Sequence, residues 1–152
     1  MSSVRLGAAV VQRYIVSLYF LGVIVQFFLV GLGLFGMKPG STIDNAKSLD
    51  AHRTFGFLLV DFGGALLLIS SLIAWQRPRR QKVGLYVLLA VLGQVQGVLA
   101  AEGWHHQYVG MFHPVNALLL LGLSGMLAHQ AWADVRARAH APEGATEALG
   151  TD

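Results

Sequence analysis

Residues 14–35 read YIVSLYFLGVIVQFFLVGLGLF, from Tyr14 to Phe35 without one charged side chain. A bilayer's hydrocarbon core is about 30 Å thick, and a helix needs about 20 apolar residues to cross it. Hydrocarbon offers no hydrogen bonds, so a single span must satisfy its own backbone, as an α-helix does. The stretch therefore predicts a transmembrane helix. Three more follow at His52–Trp75, Val83–Ala101 and Pro114–Trp132. The expected fold is all-α, a transmembrane four-helix bundle made of two repeated helical hairpins. The first span is long, lacks a small-residue cleavage site and leads into further spans, so it reads as a retained helix and not a signal peptide.

Composition agrees. Charged residues are 12% of the chain, against about 25% in soluble domains. The 18 glycines suit helices whose backbones approach closely in lipid. The absence of cysteine excludes disulfides, iron–sulfur clusters, thiolate ligands and covalent haem attachment through C-x-x-C-H. A net charge of +3, spread over loops and tails, gives no nucleic-acid patch. No Gly-rich phosphate loop, serine elbow or H-E-x-x-H motif marks a nucleotide enzyme or hydrolase. Whether the chain is an enzyme at all stays open at this point.

Basic residues orient the spans. Arg5, Arg13, Arg77, Arg79, Arg80, Lys82, Arg136 and Arg138 fall on one side, leaving Lys38, Lys47 and Arg53 of the 11 on the other. The basic side is expected to be cytoplasmic, with both termini there and the protein in a bacterial plasma membrane. Tyr14, Trp75, Trp104, Tyr108 and Trp132 near the span ends form an aromatic belt. Residues 1–133 make the four-helix transmembrane domain. Residues 134–152, rich in Ala, Glu and Gly, are expected to be a disordered cytoplasmic tail.

The two hairpins resemble each other. Val25-Gln26-Phe27-Phe28-Leu29 matches Val95-Gln96-Gly97-Val98-Leu99, and His52 and His113 open the second and fourth spans. At equal offsets beyond them, Gly56 pairs with Ala117 and Gly64 with Gly125. Similar parallel halves imply a pseudo-twofold axis along the membrane normal. His52 and His113 should then lie at equal depth on opposite sides of the bundle axis.

Histidine is rare inside membrane spans and tends to face the interior. Below His52 stand Gly56 and Gly63, and below His113 stand Ala117 and Ser124. A small-residue face beneath each imidazole suits a flat macrocycle with a histidine on either side as axial ligands. Arg53 offers a guanidinium for a propionate, or simply a headgroup anchor. Asn116, one turn from His113, orients that ligand or bonds between helices. The alternative for both histidines is a place in the membrane interface, bonded to water and headgroups. His105 and His106 are expected to be exposed, a shared metal site with His113 being the other reading. His129 and His140 are assigned no role.

Gln26, Asp61, Gln94, Gln96 and Ser124 should form a polar layer near mid-depth. Asp61 lies nine residues past His52, roughly 13 Å along the helix. Ionised in hydrocarbon it costs on the order of 3 kcal/mol or more, so it should be neutral or paired with a glutamine, as polar glue or a proton relay. Gly93 and Gly97 form a G-x-x-x-G face, read as close helix packing.

His52-Arg53 at a helix opening, Gln94-x-x-Gly97 in the next span and His113 opening the last resemble one half of haem A synthase. The likeness runs from about Val25 to His129. That family has two similar four-helix halves, each with a histidine from its second and fourth helices near the outer surface, and one half holds haem b. The resemblance implies haem b binding at His52 and His113. It does not extend to haem hydroxylation, because the glutamate ahead of the family's catalytic histidine has no counterpart. Ser48 stands in the loop before His52, and the family's paired loop cysteines are absent. The chain also looks like small four-helix membrane proteins of actinobacteria.

The sequence thus points to a membrane-embedded b-type haem protein for electron transfer or haem handling. Its rivals are a non-catalytic membrane subunit without cofactor, and a carrier or quinone-binding protein built on a Gln26–Asp61–Gln96 layer. The partners considered are the membrane, a second copy and a partner membrane subunit. The charge pattern fixes one test of orientation. Cysteines placed at Lys47 and Gln107 should react with an impermeant thiol reagent in intact cells, whereas one at Gln81 should stay protected. Labelling at position 81 alone reverses the topology.

Overall fold

The computed structural model describes residues 3–43, 45–73, 80–103 and 105–139. Trp75, Arg77, Pro78, Arg79, Trp104 and the tail from His140 lie outside the described residues. In order along the chain come α1 (Ser3–Phe35), a 3₁₀ turn (Lys47–Leu49), α2 (Asp50–Phe57), a π-helical segment (Leu58–Gly63), α3 (Gly64–Ile73), α4 (Arg80–Gly103), α5 (Gln107–Gly110) and α6 (Phe112–Ala139). Four stretches are long and apolar enough to cross a membrane: Val10–Phe35, Lys47–Ile73, Lys82–Gly103 and Gln107–Asp134. The architecture is an all-α four-helix bundle, built as a multi-pass membrane protein.

α1 packs along α6 on one side and along the α2–α3 helix on the other, and α4 touches the same two neighbours. The α2–α3 helix and α6 therefore stand diagonally across the bundle, as do α1 and α4. Between them lies a core of Val16, Tyr19 and Val23 from α1, Leu67 from α3, Tyr86 and Leu89 from α4, and Leu120 and Leu127 from α6. The serines near this core return their hydroxyls to their own helix. Ser17 Oγ donates to the Arg13 carbonyl at 2.7 Å, Ser71 Oγ to Leu68 at 2.8 Å and Ser124 Oγ to Leu120 at 2.6 Å. A buried hydroxyl costs little once bonded in this way.

Each hairpin at the histidine end closes through a short helical turn and a glycine. In the first, Pro39 and Gly40 make a turn in which Ser41 N donates to Lys38 O at 3.0 Å and Gly40 takes φ +82°, a type II geometry that favours glycine there. Leu49 then seats against Gly33, and Ser48 Oγ donates to the Gly33 carbonyl at 2.7 Å. In the second, Gly103 meets Gly110 backbone to backbone: a Cβ on Gly103 would lie 2.8 Å from Gly110 Cα. Pro114 falls in the first turn of α6, where its missing N–H needs no helical partner.

The opposite end is clasped by side chains. The Arg13 guanidinium lies 4.8 Å from the Tyr14 ring centre and 4.7 Å from that of Trp132. Those two rings meet edge to face at 5.5 Å, and Trp132 Nε1 donates to Ser17 Oγ at 3.0 Å. Two residues expected only to line an aromatic belt thus staple α1 to α6. Lys82 Nζ pairs with Asp134 Oδ2 at 2.6 Å, joining α4 to α6. α6 runs on to Ala139, and the rest of the expected tail, from His140, lies outside the described residues.

The glycine contacts set a stability test. Gly103→Ala should destabilise the bundle by about 1–3 kcal/mol, since its methyl meets backbone that cannot rotate away. Gly84→Ala, at an exposed helical site with nothing within 4 Å, should be neutral or stabilise by about 0.4–1 kcal/mol. Thermal unfolding in detergent, followed by far-UV circular dichroism, separates the two. Equal midpoints would refute the tight Gly103–Gly110 closure.

Candidate functional site

The two histidines meet. His52 lies in α2 and His113 in α6, on diagonal helices, and their ring centres are 6.4 Å apart with planes at 73°. Both are partly buried. Neither sits at the first residue of its helix: α2 starts at Asp50 and α6 at Phe112, so each imidazole projects from a formed first turn.

Glutamines from the other two helices hold them, and they are the repeat-related pair Gln26 and Gln96. On one side Gln96 Nε2 lies 3.1 Å from His113 Nε2, and the Gln96 carbonyl lies 3.3 Å from His113 Nδ1. A consistent assignment has Nδ1–H donating to the carbonyl and Nε2 accepting from the amide. The amide orientation is fixed in turn by Asn116, whose Nδ2 donates to Gln96 Oε1 at 2.7 Å and to the Leu92 carbonyl at 2.8 Å. On the other side Gln26 Nε2 donates to the His52 carbonyl at 3.1 Å. There the network stops: Gln26 Oε1 and His52 Nδ1 are buried without a hydrogen-bond partner.

Asn116 is buried and acts as the inter-helix link that was one of its two readings. Gly56 adjoins the site for a different reason from the one its position implied. A Cβ there would come within 2.6 Å of Gln26 Nε2, so Gly56 makes room for the glutamine. Gly63 similarly takes the edge of the Tyr19 ring, at 3.1 Å from a built Cβ. The small-residue face below His52 is thus filled by α1 side chains. Below His113, Ala117 is half-buried and Ser124 fully buried. Arg53 clasps its own loop, donating to Asp50 Oδ1 at 3.0 Å, to the Ala46 carbonyl at 3.5 Å and to the Ile43 carbonyl.

The polar layer divides. Gln26 and Gln96 belong to the histidine cluster, whereas Gln94 Nε2 donates to Asp61 Oδ1 at 3.2 Å and both of those side chains are exposed. The Gln26–Asp61–Gln96 layer that a carrier would need is therefore not assembled, while the pairing of Asp61 with a glutamine is. Asp61 lies in the π-helical segment, whose extra residue per turn shifts the helical phase. Nothing in the residue spacing announced that turn. Of the G-x-x-x-G pair, Gly93 packs against the Tyr19 hydroxyl, but Gly97 has nothing within 4 Å. His105 and His106 are exposed. Among the described residues no group of three or more His, Asp or Glu side chains is placed to hold a metal ion.

The donor set at the centre of the site is two imidazoles. Two imidazoles are a donor pair that a transition metal or a haem iron can take; here Gln26 and Tyr19 occupy the space below His52 and Gln96 meets both nitrogens of His113. A ligating histidine commonly donates its second nitrogen to a backbone carbonyl, as His113 can to Gln96 O. His52 Nδ1 is a buried nitrogen with nothing to bond. No family model, curated protein or solved structure matches this chain, so the functional reading rests on this geometry.

The chain from Asn116 through Gln96 to His113 should act as a unit. Asn116→Leu is expected to cost about 1–3 kcal/mol, because it leaves Gln96 Oε1 without a donor. In a double-mutant cycle with Gln96→Leu, measured by unfolding in detergent, the coupling should be about 0.5–3 kcal/mol. Additive losses would show that the two side chains do not share a network.

Proposed function

We propose that the protein is an integral membrane b-type haem protein, with His52 and His113 as axial ligands, serving electron transfer or haem handling. The observation that carries this reading is the pair of imidazoles set 6.4 Å apart from diagonal helices. A haem held by these residues would supply one-electron redox chemistry.

The chain's own residues would do the rest. His113, with Nδ1–H directed to the Gln96 carbonyl, presents Nε2 as the ligand atom, and the Gln96 amide must release that nitrogen. His52 offers the unbonded Nδ1 or the other ring nitrogen. Asn116 keeps the Gln96 side chain oriented. Arg53 would serve a propionate only by giving up its loop contacts, so its first role is to fix the segment that carries His52. Gly56 leaves room for the Gln26 amide beside His52. Orientation follows the basic residues, with the histidine end on the outer face of a bacterial plasma membrane and both termini in the cytoplasm.

The alternative is a non-catalytic membrane subunit whose histidines tie helices together. Gln96 favours it specifically, since it satisfies both nitrogens of His113 without any cofactor. Colour decides between them. Protein purified from haem-replete cells should show a Soret band, and sharpened α and β bands on reduction, as six-coordinate low-spin haem does. His52→Ala and His113→Ala should each abolish or strongly weaken that low-spin signal, while His105→Ala and His106→Ala leave it unchanged. A folded, colourless wild-type protein would leave the subunit reading standing. A spectrum that survives loss of both His52 and His113 would refute these ligands.

A further inference from the structure

Among the described residues, the exposed belt around the middle of the bundle is apolar except at one place. Asp61 and Gln94 lie near the midpoints of the spans Lys47–Ile73 and Lys82–Gly103, and both are exposed on the outside of the bundle. They sit in a groove between the α2–α3 helix and α4, whose walls include Gly64, Ala65, Ala90 and Val98. Exposed Leu, Val and Phe elsewhere on this belt are at home in lipid. A carboxyl and a carboxamide are not, because hydrocarbon returns none of the hydrogen bonds they lose from water.

We propose that a second copy of this chain covers this groove, related to the first by a twofold axis that passes beside the Asp61–Gln94 pair. Within one chain the pair makes a single hydrogen bond, from Gln94 Nε2 to Asp61 Oδ1. That leaves a second amide N–H, the amide oxygen and the other carboxyl oxygen. Donor and acceptors on one small patch are self-complementary. A twofold copy sets the N–H of each amide opposite an acceptor of the other, as an isologous contact requires. Gly64, Ala65 and Ala90 remove the side chains that would hold a facing helix away, the usual condition for close association in membranes. The π-helical segment Leu58–Gly63 contains Asp61, and such wide turns gather at functional positions. The four described spans pack against one another and leave this groove uncovered. This contact does not depend on whether the histidine pair binds haem.

The chain has no cysteine, so single cysteines report on the contact in the full-length protein in native membranes. A twofold axis brings equal positions together. Ala65→Cys, Val91→Cys or Val98→Cys should give a disulfide-linked dimer on mild oxidation. Leu18→Cys on α1 and Leu119→Cys on α6, both exposed, should not. Adding Asp61→Leu with Gln94→Leu should lower the dimer yield by roughly tenfold, the scale of a few interhelical hydrogen bonds. The groove cysteines are read first in the presence of Asp61 and Gln94, so a folding defect in the leucine variant leaves that test intact. Three outcomes would overturn the proposal: no dimer from any groove position in a folded protein, equal yield from positions 18 and 119, or cross-links only to a different polypeptide. Co-purification of a quinone that Asp61→Leu releases, with the protein monomeric throughout, would assign the groove to a small molecule instead.

Discussion

Hydrocarbon gives a polar group nothing to bond, and most of this structure can be read as the chain supplying its own partners. The spans are helices because a helix closes its backbone bonds within itself. Ser17, Ser71 and Ser124 turn back to carbonyls of their own helices. Trp132 reaches Ser17, Asn116 reaches both Gln96 and Leu92, and Gln96 serves the ring of His113. These bonds join helices that lack a hydrophobic drive to associate, since lipid tails are as apolar as leucine. Polar contacts and tight glycine packing therefore carry the specificity that a water-excluding core carries in soluble proteins.

Depth along a span was legible in the sequence; direction around it was legible only in part. Hydropathy and length placed all four spans, because each crosses the bilayer by the same physical rule. The repeat placed His52 and His113 across the axis from one another, and the structure brings their rings together. Their partners were harder to read. Gln26 and Gln96 looked like members of one mid-depth layer with Asp61, since depth alone groups them. The neighbours that separate them are set by azimuth, and azimuth depends on phase. A π-helical segment changes that phase with no composition cue beyond the Gly63–Gly64 pair at its end. Gly56 shows the same limit: a missing side chain shows that something comes close, not what comes close. Its neighbour is the amide of Gln26.

The two ends of the bundle are built differently. At one, Arg13, Tyr14 and Trp132 stack into each other and Lys82 pairs with Asp134. Those contacts link α1 and α4 to α6 over long sequence separations. At the other, the contacts are local to each hairpin: Ser48 and Leu49 against Gly33, Arg53 against its own loop, Gly103 against Gly110. The histidine end thus consists of two separately closed hairpins whose common contact across the diagonal is the imidazole pair.

The sequence match between the two hairpins breaks at one position beside the site. In both hairpins a glutamine of the first helix reaches the histidine of the second. In the second hairpin Gln96 meets the His113 ring and is itself held by Asn116. The corresponding position in the first hairpin, three residues after His52, is Phe55, which cannot donate to an amide oxygen. Gln26 therefore bonds the His52 backbone, and its own oxygen and the Nδ1 of His52 remain unsatisfied. A buried polar atom without a partner costs on the order of 1–3 kcal/mol, so these two atoms mark the less settled half of the site. One histidine is fixed by a complete network and the other is held only through its backbone. If a ligand binds between them, His113 is the preorganised side and His52 the side with bonding capacity to gain.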